Sequence, residues 1–121
     1  MRHRLIILGI VLFASPALAQ EFVAVHIDKA TIAWDAATGG GTPTTYHVKC
    51  GDTSGSYKHP QVDVPADRTT LAVKAAIPGL GRYFCVVTAS NQFGESGPSN
   101  EISFDVGREP AAPTGTRLEA S

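Results

Sequence analysis

From Ala30 onward the chain alternates apolar and polar residues over short runs separated by turn-forming residues, and this period of two marks half-buried strands. Ala30, Ile32 and Trp34 alternate with Thr31, Ala33 and Asp35, which predicts a strand that buries a Trp on its inner face. Thr38-Gly39-Gly40-Gly41-Thr42-Pro43 has nothing apolar to bury and predicts an exposed loop. Tyr46, Val48 and Cys50 then alternate with His47 and Lys49, giving a strand with a polar outer face.

After the Gly-, Ser- and Thr-rich stretch Gly51 to Tyr57, Gln61-Val62-Asp63-Val64-Pro65 predicts a short edge strand closed by a Pro. Leu71, Val73, Ala75 and Ile77 alternate with Ala72, Lys74 and Ala76 and predict a further strand, ended by the corner Pro78-Gly79-Leu80-Gly81. The clearest run follows: Tyr83, Cys85, Val87 and Ala89 point one way, and Phe84, Val86 and Thr88 the other. Residues Asn91 to Ser99 are a turn, and Ile102, Phe104 and Val106 a last strand. Phe22, Val25 and Ile27 offer a weaker first one. Seven short strands and no helical period predict an all-β, seven-stranded antiparallel sandwich, with a barrel as the alternative.

A chain of 121 residues has room for one such core. Its start is different in kind. Met1-Arg2-His3-Arg4 is basic, Leu5 to Ala14 is apolar, and Ser15-Pro16-Ala17-Leu18-Ala19 ends in an Ala-x-Ala pattern, which predicts an export signal over residues 1–19 cut before Gln20. The apolar run is about half the roughly 20 residues a spanning helix needs. The expected mature chain is a domain over residues 20–106 and a Pro- and Gly-containing tail over 107–121 that lacks apolar periodicity, in the periplasm or the extracellular medium. Removing the signal takes Arg2 and Arg4 from the ten basic residues and leaves eight against eleven acidic ones, a balance that gives nucleic acid no reason to bind. Cys50 and Cys85 are an even pair bound for an oxidising compartment, which favours one disulfide over two buried thiols.

From about Glu21 to Val106 the ordered set of residues resembles a fibronectin type III domain. Trp34 stands where that family keeps a buried Trp, and Tyr46-x-Val48-x-Cys50-Gly51 is similar to its third strand. Ile77 stands where the family usually has a Leu before its corner tyrosine, here Tyr83. Tyr83-x-Cys85-x-Val87-x-Ala89-x-Asn91-x-x-Gly94-x-Ser96-x-Pro98-Ser99 is similar to the family's most characteristic run. The resemblance implies that Trp34 and Tyr83 are core and that the Tyr83 hydroxyl bonds back to the corner backbone. It also implies that the loops around Gly39 to Thr44 and Gln92 to Gly97 share one end. Two departures stand out: Pro78 comes one residue earlier than is usual, and the family usually has no core disulfide. On its topology the strands of Cys50 and Cys85 are neighbours. Directly opposed, the two cysteines are within bonding range; offset by two residues they lie about 7 Å apart.

Catalytic chemistry finds no pattern to stand on. His26 and His47 fall on outward positions, His59 precedes Pro60 in a loop, and none lies by a glycine-flanked nucleophile turn. His47, His59 and Asp63 lack metal-ligand spacing, so neither a metal nor another cofactor is expected. The remaining candidate is a binding loop, Gln92, Phe93, Gly94 and Glu95, in which Phe93 projects where no core needs it. These readings predict a non-enzymatic protein-binding or structural module. The rival is a carbohydrate-associated accessory module, for which Phe22, Tyr57, Phe84 and Phe93 are scattered candidate platforms.

Overall fold

The structure, a computed structural model, describes residues 22–120 in full and the backbone of one strand nearer the start, Leu5–Leu8. The export signal expected over residues 1–19 otherwise lies outside the described residues. Nine strands and one short helix follow one another: β1 (Leu5–Leu8), β2 (Val23–His26), β3 (Thr31–Trp34), β4 (Thr45–Gly51), β5 (Val62–Pro65), β6 (Thr70–Ala72), α1 (Val73–Ala76), β7 (Gly81–Asn91), β8 (Gly94–Glu95) and β9 (Ile102–Gly107). They form two sheets, one ordered β1-β3-β6 and the other β2-β9-β7-β4-β5, with β8 paired to β7 at its tip. The sandwich proper is the seven strands β2, β3, β4, β5, β6, β7 and β9, the all-β architecture that the alternation predicts.

The core lies between the sheets, where Ile32, Trp34, Tyr46, Val48, Cys85, Val87 and Phe104 are buried. Trp34 and Tyr46 meet edge to face with ring centroids 5.5 Å apart, a favoured aromatic geometry. The Trp34 indole nitrogen is buried with no hydrogen-bond partner among the described residues, which departs from the satisfied polar tip usual for core Trp. Tyr83 donates to the Gly79 carbonyl at 2.9 Å and so pins the corner between the two sheets even with Pro78 in its early place.

Three features differ from the alternation-based reading. The run Leu71 to Ile77 does not stay extended: β6 gives way after Ala72 to the single turn α1. Ala, Lys and Val in Val73-Lys74-Ala75-Ala76 satisfy a helical turn as readily as a strand, and the buried pair is Val73 and Ala76, three apart, rather than Val73 and Ala75. Ile77, held extended by the following Pro78, ends the turn. Second, β2 and β9 are parallel, with Val23 opposite Phe104 and His26 opposite Gly107, so the sandwich is not antiparallel throughout. Third, β7 is buried on both faces, Phe84, Val86 and Thr88 included. Phe22 covers part of its outer side: its ring meets the edge of Phe84 at 5.6 Å, and the Arg82 guanidinium lies 3.6 Å from the Phe22 centroid.

Candidate functional site

The loop end of the sandwich is built from a glycine run and a hairpin tip. Residues 35–44 carry no regular structure, and Gly39 and Gly40 take positive φ values of 81° and 65° that other residues adopt only with strain. Across from them β7 ends at Asn91 and turns through Gln92 and Phe93 into β8. Asn91 organises the tip with both ends of its amide: its oxygen accepts the Phe93 N–H at 2.8 Å, and its nitrogen donates to the Thr42 carbonyl at 3.2 Å. The two loops thus share one end, and between them lies a cleft of about 530 Å³ whose walls include Gly39, Gly41, Pro43, Asn91, Phe93 and Ser96.

Phe93 is 86% exposed at this cleft. Of the other residues proposed for the binding loop, Gly94 and Glu95 line the cleft, while Gln92 is exposed outside it. The Glu95 carboxylate is engaged on the sheet, accepting from Lys49 Nζ at 2.5 Å and from the Thr88 hydroxyl at 2.6 Å. The Lys49 hydrogen bond first, then that of Thr88, holds its pKa below the ordinary carboxylate value. The exposed large apolar side chain at this end is Phe93, while the charge of Glu95 is already paired on the sheet.

A polar row crosses the outer face of the neighbouring strands. His47 on β4 bonds Asp63 on β5 through Nδ1 at 2.6 Å and Ser90 on β7 through Nε2 at 2.8 Å. Gln61 donates to the same Asp63 oxygen at 2.9 Å, and the His47 hydrogen bond first, then that of Gln61, keeps Asp63 below its ordinary pKa. This brings together Ser, His and Asp in the order of a nucleophile relay, which sequence spacing does not reveal because the three lie on separate strands. Pairing explains it: His47 is directly opposite Asp63, and Ser90 is directly opposite Thr45, two residues along β4. Ser90 stands within the flat ladder of β7, its carbonyl taken by the Thr44 N–H at 2.8 Å and the Thr44 hydroxyl at 3.2 Å, rather than on a sharp strand-to-helix turn. His59 is elsewhere, its ring 5.5 Å from that of Tyr83, and no group of three or more potential metal ligands occurs among the described residues.

The opposite end is cross-linked. Cys50 and Cys85 are directly opposed in register, 4.2 Å apart between α-carbons, and are joined as a disulfide. Beside them Glu101 accepts from the Ser54 hydroxyl at 2.6 Å, the Gly55 N–H at 3.0 Å and the Tyr57 hydroxyl, fastening residues 54–57 to the start of β9. Burial, then the Glu101 hydrogen bond, pushes the Tyr57 phenol up to about 12. Burial pushes the Glu101 carboxyl up as well, but the hydrogen bonds from Ser54, Tyr57 and Gly55 outweigh it and hold the group below its ordinary value.

Solved structures resemble this arrangement. The Fn3 domain of human contactin 1 superposes with a TM-score of 0.59 at 15% identity, covering 89% of this chain and 94% of that one. The Fn3 domain of the human collagen alpha-1(XX) chain gives 0.54 at 18% identity over 78% and 87%. An Fn3-like protein from Clostridium thermocellum gives 0.48 at 22% identity over 75% and 97%. No protein-family model matches the sequence, and no curated protein matches it. With its buried Trp34, its corner Tyr83 and its two sheets, the chain has the fibronectin type III fold.

Proposed function

We propose that this protein is an exported, non-enzymatic module that binds a protein partner through its loop end. Residues 20–106 form the domain, residues 107–121 act as a linker, and the place of action is the periplasm or the extracellular medium. The observation that carries the reading is Phe93, 86% exposed beside a cleft of about 530 Å³. An aromatic anchor on a rigid scaffold, next to a concave surface with few charges, is what a binding site requires. The disulfide agrees with an oxidising destination. So does the short apolar leader, which ends in Ala17-Leu18-Ala19.

The carbohydrate-associated alternative needs a row of exposed aromatic faces. Phe93 is the only strongly exposed aromatic among the described residues, while Phe22 and Phe84 are spent on each other. The test is affinity capture from the envelope fraction of the producing cell, run with the protein, its Phe93→Ala variant and a panel of polysaccharides. A protein partner lost in the variant supports the loop site. Retention on polysaccharide without a protein partner replaces it with the alternative. The Ser90–His47–Asp63 row offers the sharpest check on the non-enzymatic reading. Turnover of an activated ester that vanishes in Ser90→Ala would overturn the non-enzymatic reading.

A further inference from the structure

The hydrogen-bonding directions of β3 separate cleanly. Trp34 donates its N–H to the Thr69 carbonyl at 3.0 Å, and the Ala30 carbonyl accepts from the Val73 N–H at 3.0 Å. Ala30, Ile32 and Trp34 therefore turn their backbone groups toward β6, and by alternation Thr31 and Ala33 turn theirs the other way. On that other side lies β1, antiparallel, with Leu8 opposite Thr31 and Ile6 opposite Ala33. The segment completing this sheet is thus Leu-Ile-Ile-Leu from the apolar part of the predicted leader.

We propose that the outer edge of β3 is a strand-acceptor site, filled by Leu5–Leu8 while the leader is attached and by an extended aliphatic segment of a partner protein once it is removed. The proposal rests on the export reading above. Losing residues 1–19 uncovers two N–H and two C=O groups, those of Thr31 and Ala33, beside the buried Ile32 and Trp34. The first strand of the mature chain does not cover them. β2 is committed to β9 in the opposite sheet, continued by the Ile27 N–H to Gly107 carbonyl bond at 2.9 Å. The turn that follows, closed by the Ala30 N–H to His26 carbonyl bond at 3.0 Å, leads from that sheet directly into β3 of the other.

The two edges are protected differently. β5, at the rim of the larger sheet, carries Asp63 and Pro65 and is preceded by Pro60, features that discourage pairing with another chain. Thr31-Ile32-Ala33-Trp34 has no charge, no Pro and no positive φ. Main-chain bonds from such an edge confer affinity, and the chemistry of the guest follows from the occupant it has: uncharged, aliphatic, extended and antiparallel to β3.

The test uses a fluorescent Leu-Ile-Ile-Leu peptide flanked by lysines, with binding read by anisotropy. Three proteins are compared: the full chain, the chain recovered after export with its mass measured, and the full chain carrying Ile6→Pro and Leu8→Pro, which removes the two β1 donors that face β3. The processed chain and the proline variant should take up the peptide, and the full chain should bind it at least about 10-fold more weakly. N-methylation of the peptide at the two residues matching Ile6 and Leu8 should weaken binding roughly 10- to 100-fold, as expected for two lost main-chain bonds, while methylation at the other two should change it less than ~2-fold. Absence of uptake by both opened proteins overturns the proposal, as does binding indifferent to the position of methylation or equally tight to the full chain. If the exported chain retains residues 1–19 while the proline variant takes up the peptide, leader removal fails and the acceptor edge stands.

Discussion

One end of this sandwich is fastened and the other is left open. At the fastened end a disulfide, a three-donor carboxylate and the Tyr83 corner hold the loops against the sheets. At the open end, loop joins loop through the Asn91 amide, and a large aromatic stands in solvent. Covalent and hydrogen-bonded restraint at one end lets a domain of this size leave loops exposed at the other without unravelling. The Trp34 and Tyr46 pair forms the floor under the open loops, with the Tyr46 hydroxyl accepting the Ala37 N–H at 3.0 Å.

The contrast can be broken most forcibly at the disulfide. Replacing Cys50 and Cys85 together by Ala reopens a loop with a sequence separation of 35, and should cost about 3–4 kcal/mol on the chain-entropy account. Denaturant unfolding measures this, and a cost under ~1 kcal/mol would show that the fastened end is held by its packing alone. A matched pair of glycines sharpens the comparison. A Cβ on Gly51 would lie 2.0 Å from the Ser56 carbonyl oxygen, backbone that cannot yield, so Gly51→Ala should cost about 2–3 kcal/mol. A Cβ on Gly41 would meet the Asn91 side-chain nitrogen at 2.6 Å, the far end of a side chain that can swing, so Gly41→Ala should cost less than ~1 kcal/mol. Equal losses in the two variants would erase the distinction between the ends.

Smaller effects follow from charge. Tyr57 has a folded-state pKa above its ordinary 10.0, at about 12, so the stability it contributes is complete below pH 10 and is lost as pH climbs from there toward 12. Stability of the parent protein should fall more steeply over that interval than that of Tyr57→Phe; parallel curves would mean that the phenol is not held by Glu101. Least of all, Phe93→Ala should leave stability within ~0.5 kcal/mol of the parent while abolishing partner capture. A large loss of stability would make Phe93 a packing residue and remove the site.

Much of this was legible in the alternation. Wherever a strand has one wet face, the period of two names its inward residues, as it does for Trp34, Tyr46, Val48 and Phe104. The run Leu71 to Ile77 misleads because small and straight-chain residues fit a turn of helix equally well, and tertiary burial of Val73 and Ala76 decides between them. Phe93 was legible because a loop of Gly, Ser and Asn gives an aromatic no core to enter. The His47 row and the opposition of Cys50 to Cys85 depend on register between strands, which no single strand encodes. The pairing of Leu5–Leu8 with β3 was illegible for the opposite reason: the composition of that stretch predicts an export signal and so hides its fitness as a strand.

The cross-link has a mechanical consequence. It joins adjacent strands of one sheet, so a pulling force on the chain ends bypasses everything between Cys50 and Cys85. At about 3.5 Å per extended residue, the separation of 35 keeps roughly 120 Å of contour from being paid out when the domain yields under load. Domains of this fold with no such bond lengthen over nearly their whole sequence, whereas this one is a short-stroke element, with β5, β6, α1 and the base of the Tyr83 corner inside the shielded loop.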